Sequence, residues 1–320
     1  MPKIAVVIPF YQKKPGILAK AVNSVLCQSI PHDELCIIVV DDASPVSARE
    51  ELADLSSKSD IRIYIIEQAN AGPAAARNKA LDNVPDGIQC VAFLDSDDEW
   101  TPDHLANAKD ALIGADFYFT DHYQLGQSVS AFARAGRITA SEHPAIVANR
   151  PLHRYAGDMF DQILSGNVIG TSTVVYRHHK FPALRFREEF VNAGEDYLFW
   201  LELAGLTNRI AFSSNCECTY GEGVNVFAGS GWGTEKSLTR IHYEIKYRKA
   251  LPRLFRLTDS QLTNVKLAVK SLRRSFVADV LHRLVHRKPL GRELMLKHAC
   301  LDPQSFIYFI PIAARVSLRR

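Results

Sequence analysis

Four short apolar runs constrain the fold more than any other feature of the chain: Ile4–Ile8, Leu35–Val40, Ile61–Ile66 and Cys90–Leu94. Runs of this length, bounded by polar residues, read as strands buried on both faces, the pattern of a central parallel sheet. The stretches between them have helical spacing. Ile17, Leu18, Ala21, Val22 and Val25 share one face, Leu52 and Leu55 mark a second helix, and Pro73 suits the first turn of a third. Thr101 is expected to cap the next helix with Pro102 at its first position, and Ala115–Thr120 reads as a fifth strand. Strand–helix alternation with short connections predicts a doubly wound α/β sheet.

The remainder of the body is less regular. Gln124–Arg154 has weak periodicity and is expected to be loop, a candidate lid. Thr173–Tyr176 and Ile210–Phe212 read as strands, and Glu195-Asp196 opens a helix with an apolar face through Tyr197–Leu201. Gly221, Gly223, Gly229, Gly231 and Gly233 form a glycine-rich segment. From Glu235 the texture changes to basic helices, expected over 236–256, 260–287 and 290–301.

Ligands of doubly wound sheets bind at the carboxyl ends of the strands. The polar residues converge there: Pro9-Phe10-Tyr11 after the first strand, Asp41-Asp42 after the second, and Asp95-Ser96-Asp97-Asp98-Glu99 after the fourth. The last cluster is costly unless a cation neutralises it. In an extended segment Asp95 and Asp97 would point the same way. Together they could meet one Mg²⁺ or Mn²⁺ whose other sites go to diphosphate oxygens. The alternative is a solvated acidic loop leading into the next helix. Asp41-Asp42 could bind a base or ribose, or could form a turn and helix cap. Asn70, Gly72 and Arg77 lie near the same rim, and Arg77 could pair with phosphate or lock Asp41 and Asp42 in place. Glu195-Asp196 could supply a base for a hydroxyl acceptor, or merely place charge at a helix N-terminus.

Net charge is +3, unevenly spread. From position 236 onward 19 Lys and Arg face 5 Asp and Glu, whereas 1–235 carries 19 basic and 30 acidic residues. A basic tail can bind an anionic membrane surface or nucleic acid, or can simply be a solvated face. No aromatic stacking platforms are interleaved with its cations, so nucleic acid is not expected. The apolar stretch Ser305–Leu318, flanked by arginine and interrupted by Pro311, is too short to span a bilayer but suits its interface. No run approaches the ~18 apolar residues of a membrane span. The first apolar run is too short for a signal peptide, so the chain is expected to be cytoplasmic, peripheral on the inner face of the membrane. Six scattered cysteines, with only Cys216-x-Cys218 close together, suggest neither zinc nor a disulfide framework.

Five pieces in order resemble the family 2 inverting glycosyltransferases of GT-A fold. They are Val7-Ile8-Pro9-Phe10-Tyr11, Val39-Val40-Asp41-Asp42-Ala43-Ser44, Asn70-Ala71-Gly72 with Ala76-Arg77-Asn78, Phe93-Leu94-Asp95-Ser96-Asp97-Asp98, and Gly194-Glu195-Asp196. The Gly221-Glu222-Gly223-Val224-Asn225-Val226-Phe227 segment and the basic tail are similar to bacterial exopolysaccharide glucosyltransferases of the succinoglycan type. The resemblance implies a Rossmann-like mixed sheet, with a catalytic domain over 1–230 (donor half 1–121, acceptor half 122–230) and a basic helical region over 231–320. It implies one hexose moved from a nucleotide-diphosphate donor, most simply a UDP-sugar, to a saccharide linked to polyprenyl diphosphate. Pro9, Phe10, Tyr11, Asp41, Asp42, Asn70, Gly72, Arg77, Asp95 and Ser96 would bind the donor. Asp95 and Asp97 would hold Mg²⁺ or Mn²⁺, and Asp196 or its neighbour Glu195 would be the base. Gln12 stands where the family usually has Asn, and the Q-x-x-R-W motif of processive synthases is absent. A nicotinamide dehydrogenase would need G-x-G-x-x-G after the first strand, and a nucleotidyltransferase a glycine-rich lysine-bearing loop there. A non-catalytic sugar-binding module has no use for both acidic pairs.

Overall fold

A computed structural model describes residues 3–190, 193–224, 231–234 and 236–311. The chain divides into two compact units. The first comprises 1–188 and 195–224; the second comprises 189–194 and 225–320.

The first unit is built on one mixed sheet. In chain order its elements are β1 (Ile4–Phe10), α1 (Ile17–Leu26), β2 (Leu35–Asp41), α2 (Ala48–Glu51), α3 (Ala53–Lys58), β3 (Arg62–Glu67), α4 (Pro73–Leu81), β4 (Cys90–Phe93), β5 (Glu99–Trp100), α5 (His104–Gly114), β6 (Phe117–Tyr123), α6 (Ala131–Ala135), β7 (Leu152–Arg154), α7 (Met159–Ser165), β8 (Val175–Tyr176), α8 (Glu195–Leu206) and β9 (Ile210–Thr219). The spatial order is β3-β2-β1-β4-β8-β6-β9-β5, with β7 paired to β9. β1 through β4 are parallel, and β1, β2 and β4 are buried almost throughout; β3, expected to be buried on both faces, is the edge strand of the sheet and only partly buried.

The departures from simple alternation begin at β8. This two-residue strand lies antiparallel between β4 and β6, making the sheet mixed. β9 runs ten residues instead of the expected three, because register shifts near Asp121 let its polar second half keep pairing with β6. Gln124–Arg154 is not all loop: Ser130 caps α6, and β7 buries Leu152 against β9. The helix expected to start at Thr101 starts at His104. The Thr101 amide donates to Glu217 O of β9 and its carbonyl accepts from Gln28 Nε2, so the strand edge holds Thr101 out of the helix.

Large aromatic side chains fill the space between sheet and α8. Phe93 stacks on Tyr176 with centroids 5.8 Å apart and meets Phe186, Phe199 and Trp200 edge-on or tilted. Such pairs each add about 0.5–1.5 kcal/mol beyond the area they bury. They fix where β4 ends and where α8 begins, the two places from which acidic residues project.

The second unit contains α9 (Ser237–Leu254), α10 (Asp259–Val285), α11 (Arg292–Leu301) and α12 (Gln304–Ile307). Thr258 and Gln261 close a capping box at the start of α10. Leu238, Ile241, Ile245, Phe276 and Val280 form the core. A buried polar network ties the last helices down: Arg273 forks onto Asp302 at 2.7 Å, Ser305 donates to the same carboxylate, and His298 lies between Ser305 and His242. Phe306, Ile307, Tyr308 and Ile310 remain exposed. Asn225, Val226, Phe227 and Gly229, and Ile312, Val316, Leu318, Arg319 and Arg320 of the apolar tail, lie outside the described residues. No helix among the described residues is long and apolar enough to cross a membrane.

Candidate active site

Strand register brings three of the sequence candidates to one edge. Phe10 pairs with Asp41 and Asp41 with Glu67, so β1, β2 and β3 end level. β4 ends beside Val7, where Leu94 N donates to Val7 O, and the chain then passes into the acidic turn. α4 packs across β1 and β2 and carries Arg77 to that turn.

Asp41 and Asp42 serve the local backbone, the turn-and-cap alternative. Asp41 accepts from Ser44 N at 2.8 Å and Ala48 N at 2.9 Å. Asp42 accepts from Gln68 Nε2 at 2.7 Å and from the amides of Ala71 and Gly72, both at 2.8 Å. Asn70 returns a hydrogen bond to Asp42 O. Gly72, at φ 90°, makes the bend that starts α4, a conformation that strongly favours glycine. The loop after β3 is therefore locked to the end of β2. Phe10 is fully buried in the sheet core, so it offers this rim its backbone and not its ring. Pro9 and Tyr11, on either side of it, are half-buried.

Arg77 does not reach Asp41 or Asp42. Its Nη2 donates to Asp95 Oδ1 at 2.5 Å, and the guanidinium lies over the Phe186 ring, 5.2 Å from its centroid. The side chain is 4% exposed, and Nε and Nη1 have no hydrogen-bond partner among the described residues. Burial works against its charge, but the carboxylates of Asp95, Glu195 and Asp196 outweigh that and hold its pKa above the ordinary arginine value. The neighbouring Asn78 donates to Phe186 O and Glu188 Oε1 and accepts from Phe186 N, all at 2.8 Å, fixing the segment below the guanidinium.

The acidic stretch is a turn and not an extended segment: Asp98 N donates to Asp95 O. Asp95 and Asp97 consequently have different surroundings, the first against Arg77, the second against Gly223. Asp98 does not lead into a helix. Buried at 4% exposure, it accepts from Ser172 Oγ at 2.5 Å and from Gly221 N at 3.2 Å. Ser172 also accepts from Asp95 N, while its carbonyl accepts from Trp100 Nε1. Glu99 and Trp100 pair with Thr219 and Cys218 as β5. Ser96 is buried and accepts from Gln12 Nε2 at 3.1 Å. Sequence reasoning missed Ser172 and, while naming Asp98 and Gln12, gave neither a part in the site. Ser172 carries no local signal, since it comes from a loop 74 residues beyond Asp98.

Electrostatics set the character of the turn. Burial, then the charge of Asp95, raises Asp97 to about 6. Burial and the charges of Asp95 and Asp97 push Asp98 well above the usual carboxylate range. Glu195 and Asp196 open α8 in the same field. Burial and the Asp196 charge lift Glu195 to about 8, while burial lifts Asp196 to about 6 against the Tyr197 amide and Arg77. One guanidinium thus faces several desolvated carboxylates. Such an excess accepts a divalent cation readily. Among the described residues no three His, Cys, Asp or Glu side chains are grouped to hold a metal by themselves. A site with one or two carboxylates, completed by phosphate oxygens, is the arrangement Mg²⁺ or Mn²⁺ favours. Asp95, paired with Arg77, and Asp97, against Gly223, are the carboxylates that could contribute to such a site.

A family model described as glycosyl transferase family 2 matches residues 5–175. The succinoglycan biosynthesis protein ExoW of Rhizobium meliloti (strain 1021) is 35% identical over 237 residues, 71% of this chain and 71% of its own. Among solved structures, Staphylococcus aureus TarS 1–349 in complex with UDP-GlcNAc superposes with TM-score 0.57 at 17% identity, covering 97% of this chain and 82% of that one. The mannosyltransferase PcManGT of Pyrobaculum calidifontis, in complex with GDP-Man and Mn²⁺, gives TM-score 0.58 at 17% identity, covering 99% and 87%.

Proposed function

The chain belongs to glycosyl transferase family 2 and has the GT-A fold, and from that premise we propose that it is an inverting, metal-dependent hexosyltransferase acting on one acceptor hydroxyl per encounter. The single observation that carries the donor assignment is Arg77: a buried, charged guanidinium beside the acidic turn whose Nε and Nη1 have no partner among the described residues. A diphosphate is the anion such a donor fork accepts. The rim formed by Pro9, Tyr11, Asp41, Asp42, Asn70 and Gly72 would take the nucleoside, with UDP as its first candidate. Asp95 and Asp97 would hold Mg²⁺ or Mn²⁺, which when bound would offset charge on the departing diphosphate.

Proton transfer falls to the pair on α8. Asp196 takes the proton of the acceptor hydroxyl; burial holds its carboxyl above the ordinary carboxylate range, which suits a base working near neutral pH. The hydroxyl oxygen then bonds to the anomeric carbon as the bond to the diphosphate oxygen breaks on the opposite face, inverting the configuration. Arg77, paired with Asp95, also lies in the electrostatic field of both acidic groups.

The likeness to a succinoglycan biosynthesis protein supports an exopolysaccharide or related surface polysaccharide as product. Glucose is the first sugar to test, and a polyprenyl-diphosphate-linked saccharide the first acceptor. The basic second unit supports an anionic membrane surface, the inner face of the cytoplasmic membrane, as its working place. The decisive experiment measures donor hydrolysis and binding across a panel of nucleotide sugars, with and without Mn²⁺. Metal-stimulated turnover of one UDP-sugar is expected. If no donor is bound or turned over in either condition, the proposal fails.

A further inference from the structure

The stretch Gly221-Glu222-Gly223-Val224, which offered no assignable chemistry in the sequence, lies directly on the acidic turn. Gly221 N donates to Asp98 Oδ1 at 3.2 Å. The Gly223 amide donates to Asp97. Val224 N donates to Gln12 Oε1 at 3.1 Å, and Gln12 Nε2 donates in turn to Ser96 Oγ at 3.1 Å. Three amides of one short strap therefore hold three consecutive residues of the turn, two directly and one through Gln12.

Close approach is what requires the two glycines. A Cβ on Gly221 would overlap the Asp97 carbonyl oxygen, and one on Gly223 would overlap the Asp97 carboxylate. Neither glycine has a positive φ, so space and not backbone conformation is the constraint. Gln12 is equally constrained. It is 3% exposed, and its main chain is pinned by Ser44, whose Oγ accepts from Gln12 N at 2.9 Å and donates to Gln12 O at 3.0 Å. With the backbone fixed, the side-chain amide must span from Ser96 to Val224. Asparagine, one methylene shorter, would lose at least one of these partners.

We propose that Gln12, Gly221 and Gly223 are positioning residues that set Asp97 and its turn for the divalent cation and donor diphosphate. The inference rests on the donor-site reading above. These residues act on the cation only through the acidic turn, so their effect belongs on metal affinity. Outer-shell partners of this kind typically control about 10–100-fold in metal affinity.

The test compares Mn²⁺ affinity in the presence of UDP, read from the electron paramagnetic resonance of free Mn²⁺, for wild type, Gln12→Asn, Gly223→Ala and Gly205→Ala. Gly205 lies on α8, where an added Cβ would meet only Phe160 at 4.0 Å, so this variant is the control. Gln12→Asn and Gly223→Ala are expected to bind Mn²⁺ about ten-fold more weakly while the metal-free chain still unfolds cooperatively. Raising Mn²⁺ should restore turnover in Gln12→Asn. A lowered melting temperature with wild-type Mn²⁺ affinity would show a merely structural role and overturn the inference. Gln12→Asn decides the matter alone if Gly223→Ala does not fold. Absence of Mn²⁺ and UDP binding in wild type would instead overturn the donor-site reading.

Discussion

In the proposed reaction the adjacent carboxyls of Asp196 and Glu195 would do different work. Burial raises both: Glu195 to about 8, with the Asp196 charge adding to the rise, and Asp196 to about 6, against the Tyr197 amide and Arg77. A general base must be ionised, so kcat/KM is expected to fall as pH drops below about 6. Asp196→Asn should lower kcat by about 10²–10⁴-fold while leaving donor affinity near wild type. Asp97→Ala should do the reverse, losing Mn²⁺-assisted donor binding. An Asp196→Asn enzyme with full activity would reassign the base to Glu195. The same shifts carry a stability sign. The charged forms of Asp97, Asp196 and Glu195 are disfavoured by folding, so these three groups contribute stability that is fully present below the unfolded carboxylate range. That contribution is lost as pH rises through about 6 and then about 8. Thermal melts at pH 5.5 and 8.5 measure this, and added Mn²⁺ with UDP should raise the melting temperature more at the higher pH.

At the scale of elements, the acidic turn after β4 is held from the loop before β8. The loop contributes Ser172, whose Oγ accepts from Asp95 N and donates to Asp98. Ser172→Ala would leave both buried groups short of a partner, a cost of about 1–3 kcal/mol in stability, with weaker donor binding because the turn loosens. A denaturant titration checks the first and UDP titration the second. If neither changes, the turn is held by the glycine strap alone. The parallel strands and the helices between them were legible because β1, β4 and β2 up to Val40 are apolar throughout, which few other elements tolerate. The acidic residues were legible for the same reason: they follow those strands directly. The turn at Asp95–Asp98 was not, because only its distant partners Ser172, Gly221 and Gln12 fold it back. Nor was the start of α5, where Thr101 and Pro102 carry a helix-start signal that the edge of β9 overrides. Local pattern reports local preference; pairing across 70 to 120 residues decides these two places.

At the scale of the whole chain, the two ends differ in charge more than the net +3 suggests. Residues 236–320 carry 19 basic against 5 acidic side chains. Several of these cations are engaged internally, Arg273 and Lys249 on Asp302 and Arg283 on Asp279, yet most of the excess remains. Ile307 and Ile310 are 69% and 80% exposed beside it. Each basic residue near an anionic bilayer contributes about 1 kcal/mol at low salt, a gain that falls off within a Debye length of about 10 Å at 0.1 M. The full chain is therefore expected to float with vesicles containing phosphatidylglycerol at low salt, and to be released by 0.5 M salt. The apolar part is tested by Ile307→Ser with Ile310→Ser. Truncation before Ser305 is unsuitable, because Ser305 is buried and bonded to Asp302 and His298, so its loss would disturb the helices themselves. The double substitution touches only exposed positions and should reduce flotation several-fold with no change in melting temperature. Equal flotation of both forms would leave charge alone as the membrane contact. Flotation with neutral phosphatidylcholine vesicles, undiminished by salt, would remove charge as well.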